Sequence, residues 1–299
     1  MGGRLISRLH QRPPLSVRVA SLLSALFAAF GLAASGAQAR QAGAGQLQVS
    51  PNQSGYIASS PDPTNPISFT SVTGTWTVPA ASCGAGSPPG GISAMWVGLG
   101  DLGPSPSQEE VGTDSNCSTA GKPTYYAWFE LAPYISYNVP KNDKIAVGDT
   151  MTGLVTILSP TLTLVQIHDA NRHWTFSRKI TFITPDTATA DWMVEAPATC
   201  VRFDCAQASL TNFGTFTMTG ASAVGNGQTG NLADPDWTIT PVQLIPGNVT
   251  IPDLGANPAG SGPPGVGHAA TPAGATPGGT SPDGSSFAIS WQADAKPNV

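Results

Sequence analysis

Eight segments of this chain share one pattern. Ser71–Pro79, Ile92–Leu99, Thr124–Leu131, Met151–Leu158, Thr161–His168, Trp174–Ile180, Thr187–Glu195 and Asn212–Thr219 are short and rich in Thr, Val and aromatic residues, and each is bounded by Gly, Pro, Asn or Asp. Alternation puts successive side chains on opposite faces of a strand, and regularly spaced breakers turn the chain back. The pattern predicts an all-β, antiparallel sandwich or barrel. After residue 39 no helix-period segment of useful length occurs. The 34 Gly and 28 Pro in 299 residues point the same way, because both weaken helices.

The first 39 residues read as an address. Arg4, Arg8, Arg12 and Arg18 precede an apolar run from Ala20 to Ala34, and Ala37-Gln38-Ala39 is a small-x-small cleavage site. The run is shorter than the ~20 residues of a spanning helix. Cleavage after Ala39 and secretion are expected, with residues 40–50 left as a linker or short pro-segment. All 18 acidic residues follow residue 39, against nine of the 13 basic ones, so the mature chain carries a net charge of −9. No basic cluster remains to neutralise phosphates, which argues against a nucleic-acid binder. The 40% hydrophobic content and seven Trp argue against disorder. Few carboxylates means little repulsion unmasked by pH change, which suits an acid-tolerant protein.

The four cysteines, Cys83, Cys117, Cys200 and Cys205, all lie in the exported part. An even count in an oxidising compartment predicts two disulfides, Cys200 with Cys205 and Cys83 with Cys117, rather than a metal site. The main domain is expected at 51–250. Residues 251–285 hold nine Gly and seven Pro and read as a flexible insert. A returning strand at 286–292, with Phe287, Ile289 and Trp291 on one face, and a tail at 293–299 complete the chain.

No Gly-x-Ser-x-Gly elbow, His-Glu-x-x-His motif, Walker loop or dinucleotide fingerprint is present. His168 and His173 stand at the two ends of a tight turn and read as solvated. Carboxylates are the remaining chemistry. Only four Glu occur: Glu109, Glu110, Glu130 and Glu195. Alternation sends Trp192 and Val194 to the core and Asp191, Met193 and Glu195 to the other face. It sends Ala127, Phe129 and Leu131 inward and Tyr126, Trp128 and Glu130 outward, and Trp96 away from the core. Aromatic residues beside carboxylates suggest a cleft for an extended polymer, or a surface of solvated acids with partly buried rings.

An ordered set of blocks resembles the glutamic peptidases, or eqolisins, of bacterial type. The blocks are Val72-Thr73-Gly74-Thr75-Trp76-Thr77-Val78-Pro79, Trp96-Val97-Gly98-Leu99-Gly100, Val111-Gly112-Thr113-Asp114, Tyr126-Ala127-Trp128-Phe129-Glu130, Asp191-Trp192-Met193-Val194-Glu195 and Asp283-Gly284-Ser285-Ser286-Phe287. The resemblance implies a jelly-roll-like (concanavalin A-like) sandwich of two curved antiparallel sheets. It implies an acid endopeptidase with no metal or organic cofactor, acting as a monomer on protein or peptide, with no nucleic acid and no membrane partner after signal removal. Glu195 takes the role of general base and acid. Trp96 and Trp128 take cleft positions, with Tyr126, Glu130 and Trp76 as further substrate contacts. The family's oxyanion-binding Gln stands two residues before a Gly. Here that position is Glu110, and Gln108 lies two residues earlier. Gln108 serves if the strand shifts or bulges. Alternatively Glu110 and Glu195 share a proton, and the neutral member donates. A dead site would leave a module that binds peptide or polysaccharide.

Overall fold

In the computed structural model the described residues are 43–84, 87, 89–100, 107–132, 134–140, 142–181, 184–201, 204–246 and 273–295. The signal segment and most of the Pro/Gly-rich stretch lie outside them. The described residues contain strands and turns and no α-helix. In chain order the first strands are β1 (Gly43–Ala44), β2 (Gln48–Ser50), β3 (Gln53–Ser59), β4 (Phe69–Thr77), β5 (Ala94–Leu99), β6 (Glu109–Cys117), β7 (Pro123–Leu131) and β8 (Tyr137–Asn138). There follow β9 (Thr150–Ser159), β10 (Leu162–Asp169), β11 (Trp174–Thr181), β12 (Thr189–Glu195), β13 (Ala198–Val201) and β14 (Asp204–Gln207). The last are β15 (Thr215–Gly225), β16 (Gln228–Gly230), β17 (Thr238–Leu244), β18 (Gly274–Pro277) and β19 (Phe287–Gln292).

Two layers form the sandwich. One runs β8-β7-β6-β5-β12-β3-β17, antiparallel throughout. The other runs β11-β10-β9-β4-β15-β19-β18, also antiparallel. Leu244 of β17 pairs with Ala275 of β18 and joins the layers along one edge. The main core lies between them, with Trp76, Met95, Val97, Met151, Trp192, Phe216 and Ile289 fully buried. Gly74 and Gly153 face each other across β4 and β9. A Cβ on Gly153 would meet the Trp76 ring at 3.0 Å, and one on Gly74 would meet Trp192 Cδ1 at 3.2 Å. The glycine pair makes the room that the two indoles fill. Each buried N–H has its acceptor: Trp76 Nε1 donates to Thr113 Oγ1 and Trp192 Nε1 to the Thr73 carbonyl, both at 2.8 Å.

This placement corrects the expected role of Trp76. It belongs to the cluster between the sheets and does not reach the outer face, so it is a core residue and not a substrate contact. A second difference concerns the Pro/Gly-rich stretch. Gly274–Pro277 within it is a strand, held by β17 and β19, with Ala275 fully buried. Five ladder pairs, four with β19 and one with β17, and a buried alanine outweigh local composition there. Cys83 and Cys117 form a disulfide. The side chains of Cys200 and Cys205 lie outside the described set, while the backbone of β13 and β14 puts the two positions directly opposite each other. His168 Nδ1 sits 2.9 Å from the Trp174 carbonyl in the β10–β11 hairpin.

Candidate active site

Five strands of the first layer present a lattice on the face away from the main core. Its first row is Glu130, Glu110, Gly98, Asp191 and Ile57, on β7, β6, β5, β12 and β3. The middle row is Trp128, Gly112, Trp96, Met193 and Gly55. The third is Tyr126, Asp114, Ala94, Glu195 and Gln53. Ile57, Ala94, Trp96, Trp128, Met193 and Val242 form a second apolar cluster here, with Tyr126 packed against it. Carboxyl groups therefore stand on either side of a tryptophan band.

The glycines of the Trp-Val-Gly and Val-Gly-Thr blocks hold that band in place. A Cβ on Gly98 would come within 2.9 Å of Trp96 Cζ3, and one on Gly112 within 2.7 Å of Trp96 Cβ and 3.0 Å of Trp128 Cζ2. The Trp96 ring lies over Gly98 of its own strand and the Trp128 ring over Gly112 of the neighbouring one, each where no side chain is in the way.

Glu195 ends β12 and is partly exposed. Trp96 Nε1 donates to its Oε2 at 3.0 Å, and Asn52 Nδ2 donates to its Oε1 at 3.0 Å. Asn52 is itself fixed. Its Oδ1 accepts from Ser50 Oγ at 3.1 Å, and its carbonyl accepts from the Ala196 N–H at 2.8 Å. Two donors on two oxygens hold Glu195 in one orientation and favour its ionised form. Asn52 and Asn116 each open an Asn-x-Ser triplet. Both side chains are buried, and Asn116 Nδ2 donates to Asp114 Oδ2 at 2.8 Å and Tyr126 Oη at 3.0 Å. No local motif marks Asn52; the pairing of β3 with β12 brings it to Glu195.

Asp114 is buried, and burial outweighs the hydrogen bonds its carboxyl accepts, that of Asn116 among them, pushing it up to about 6. Glu109 points to the opposite face from Glu110 and is fully buried. Its two oxygens have no hydrogen-bond partner among the described residues. Burial, reinforced by the charge of Asp186, pushes it up to about 9.

Two expectations about the second catalytic group change. Gln108 precedes β6, and its carbonyl accepts from Ala132 N–H at 2.8 Å. The registers of β6 with β5 and β7 run unbroken from Glu109, so no bulge carries Gln108 into the place of Glu110. Glu110 lies two strands and four residues from Glu195, roughly 13 Å along the strand direction. The carboxyl directly across from Glu110 is Glu130, not Glu195. A proton shared between Glu110 and Glu195 is therefore replaced by a closer pair, and the two lie on either side of Trp96. Among the described residues no group of three His, Cys, Asp or Glu is arranged to hold a metal ion.

The peptidase A4 family model matches residues 51–263, which contain this whole lattice. The chain belongs to that family. As a member of the A4 family, the glutamic peptidases or eqolisins, it is a hydrolase of peptide bonds. Solved structures of similar fold include scytalido-glutamic peptidase with a transition state analog inhibitor, at 21% identity and TM-score 0.59, covering 81% of this chain and 98% of that one. They also include SCP-B, an eqolisin in complex with the tripeptide Ala-Ile-His, at 20% identity and TM-score 0.56, with the same coverage. Among curated proteins none matches.

Proposed function

We propose that this A4 peptidase is a secreted acid endopeptidase in which Glu195 activates water on a peptide bond. The observation that carries the reading is the pair of donors on Glu195, Trp96 Nε1 and Asn52 Nδ2, beside a tryptophan band. A carboxylate so held keeps its proton-accepting form in acid, and its partial exposure leaves it open to water. The peptide lies over the face beneath which Trp96 and Trp128 are packed, with its scissile carbonyl between Glu195 and Glu110. Glu195 takes a proton from water as the oxygen attacks the carbonyl carbon. The Glu110 carboxyl donates a hydrogen bond to the resulting oxyanion. Glu195 then returns the proton to the leaving nitrogen, the C–N bond breaks, and a free acid and a free amine result. No cofactor enters the scheme.

Complexes of the relatives with a transition state analog and a tripeptide support a peptide as substrate. The Arg-rich start, the apolar run and Ala37-Gln38-Ala39 support secretion, as does the Cys83–Cys117 disulfide, which suits an oxidising compartment. The test is mass analysis of a denatured protein substrate incubated with residues 40–299 in acid and at neutral pH. Internal fragments in acid alone fit the proposal. Intact substrate at every pH, with the protein folded, would favour a peptide-binding module instead.

A further inference from the structure

We propose that Ser50 is a positioning residue for the reaction: it sets the Asn52 amide with its nitrogen towards Glu195, and the arm Gly43–Ser50 that carries it belongs to the working enzyme. The inference rests on the role given to Glu195 above. A side-chain amide has two ends of opposite character, an NH2 that donates and an oxygen that accepts. Only the nitrogen end suits a carboxylate. Asn52 Nδ2 donates to Glu195 Oε1 at 3.0 Å, and Ser50 holds the oxygen end.

A hydroxyl offers one proton and two lone pairs. Ser50 Oγ accepts from the backbone N–H of Asn52 at 3.3 Å and from that of Gln53 at 3.1 Å. Both acceptor positions are thereby taken. The hydroxyl proton goes to Asn52 Oδ1, at 3.1 Å. With the amide turned over, its NH2 would face a hydroxyl with no lone pair to spare, and its oxygen would face the Glu195 carboxylate. Asn52 is buried, which makes so mismatched an amide costly. Ser50 therefore selects which end of Asn52 meets Glu195.

The arm fixes Ser50 in turn. From residue 43 the stretch expected to be a linker or short pro-segment is docked along β17. β3 takes one side of that strand, and β1 and β2 lie along the other, parallel to it. Ser50 is paired with Leu244, and its carbonyl accepts from the Ile245 N–H at 2.9 Å. Leu47 and Val49 are exposed, so the arm is held by its backbone more than by its side chains. The Gly45 N–H donates to the Ile239 carbonyl at 2.8 Å, and a Cβ on Gly45 would lie 3.0 Å from Thr240 Cα. So close an approach of two backbones suits glycine. A path of hydrogen bonds thus runs from β17 through Ser50 and Asn52 to Glu195.

Other titratable groups share the face of Glu195. Asp114 and Tyr126 lie in its row, and Glu110, Glu130 and Asp191 stand in the row beyond Trp96. β2, β3, β5 and β17 contribute no charged side chain. A change at Ser50 leaves all of these groups in place, so a shift that it causes reports on the Asn52 amide.

The test uses the chain expressed whole and labelled with ¹⁵N. The side-chain NH2 signals of Asn52, assigned by their loss in Asn52→Ala, should follow the titration of Glu195 in the wild type and in Ser50→Thr, which keeps the hydroxyl. In Ser50→Ala that response should vanish. The acid limb of kcat/KM should move up by about half a unit or more in Ser50→Ala, a loss of about threefold or more on that limb, and return in Ser50→Thr. In the Asn52→Ala background, Ser50→Ala should add no further shift. Intact mass of the active enzyme should show residues 43–50 retained. Asn52 signals that follow Glu195 equally in the wild type and in Ser50→Ala overturn the inference, as does an active form that begins beyond Ser50. A Ser50→Ala variant with a lower Tm and an unmoved acid limb also overturns it, because Ser50 would then serve stability alone. A wild type without turnover overturns the role of Glu195 instead, and the Asn52 signals still decide the orientation of the amide.

Discussion

The indole N–H of Trp96 donates to Oε2 of Glu195 at 3.0 Å, tying a residue in the middle of β5 to the last residue of β12. Asn52 holds the other oxygen. Replacing Trp96 with Phe keeps the ring and deletes the donor. We expect kcat/KM to fall about 10-fold or more, and the acid limb of its pH profile to move upward, because a donor to the ionised form is lost. Asn52→Ala should act in the same direction. An acid limb that stays in place in both variants would show that these donors do not tune the base.

Glu110 offers a sharper contrast. Glu110→Ala should cost about 10²–10³ in kcat, the usual loss on removing an oxyanion donor. Glu110→Gln should retain activity and extend it to higher pH, since an amide needs no proton to donate. Gln108→Ala should leave turnover near wild type. The opposite ranking, with Gln108→Ala inactive and Glu110→Ala active, would move the donor role to Gln108.

A methyl group at Gly112 would sit 2.5 Å from the Met95 carbonyl oxygen and 2.7 Å from Trp96 Cβ. Backbone must shift to admit it. Gly112→Ala should cost about 1–3 kcal/mol of stability and displace Trp96. Misplacement of about 1 Å near the chemistry can cost about 10²-fold in rate, so activity should fall further than stability alone explains. Thermal melts and kcat/KM measured on the same preparation check this.

The fold should be most stable in acid. Asp114 rises from 3.8 to about 6 and Glu109 from 4.5 to about 9 on folding, both chiefly through burial. A raised carboxyl binds its proton more tightly in the folded state. Its stabilising contribution is complete below the unfolded value and is lost as pH climbs through the folded one. Tm should therefore decline between about pH 4 and 6 through Asp114, and on towards about pH 9 through Glu109. Asp114→Asn should flatten the first decline and Glu109→Gln the second. A Tm that rises over this range would contradict the assignment of both groups.

Much of this was legible from period-two alternation. It separates Trp192 and Val194 from Met193 and Glu195, and Phe129 from Trp128, as the two apolar clusters do. It fails for β6, because Glu, Gly, Asp and Asn are poor strand formers and only burial on both faces makes Glu109–Cys117 a strand. β3 and β17 were missed for a similar reason: Gln53, Gly55 and Pro241 blur their pattern. Trp76, taken from the resemblance as a substrate contact, was misplaced because tertiary packing decides which face of β4 meets the other sheet. The Asn52–Glu195 bond joins residues 143 apart, and the Glu110–Glu130 pairing depends on register. Contacts of that kind come from tertiary pairing, which local sequence does not encode.

The most direct test is the pH profile of kcat/KM for one peptide, measured on the wild-type chain and on Glu195→Gln, which keeps the shape of the side chain and removes its basicity. The account predicts turnover confined to acid in the wild type and a loss of about 10³-fold or more in the variant, with both proteins equally folded. Glu195→Gln cleaving the peptide at a rate near wild type would contradict it, because the group said to move the proton would then be dispensable.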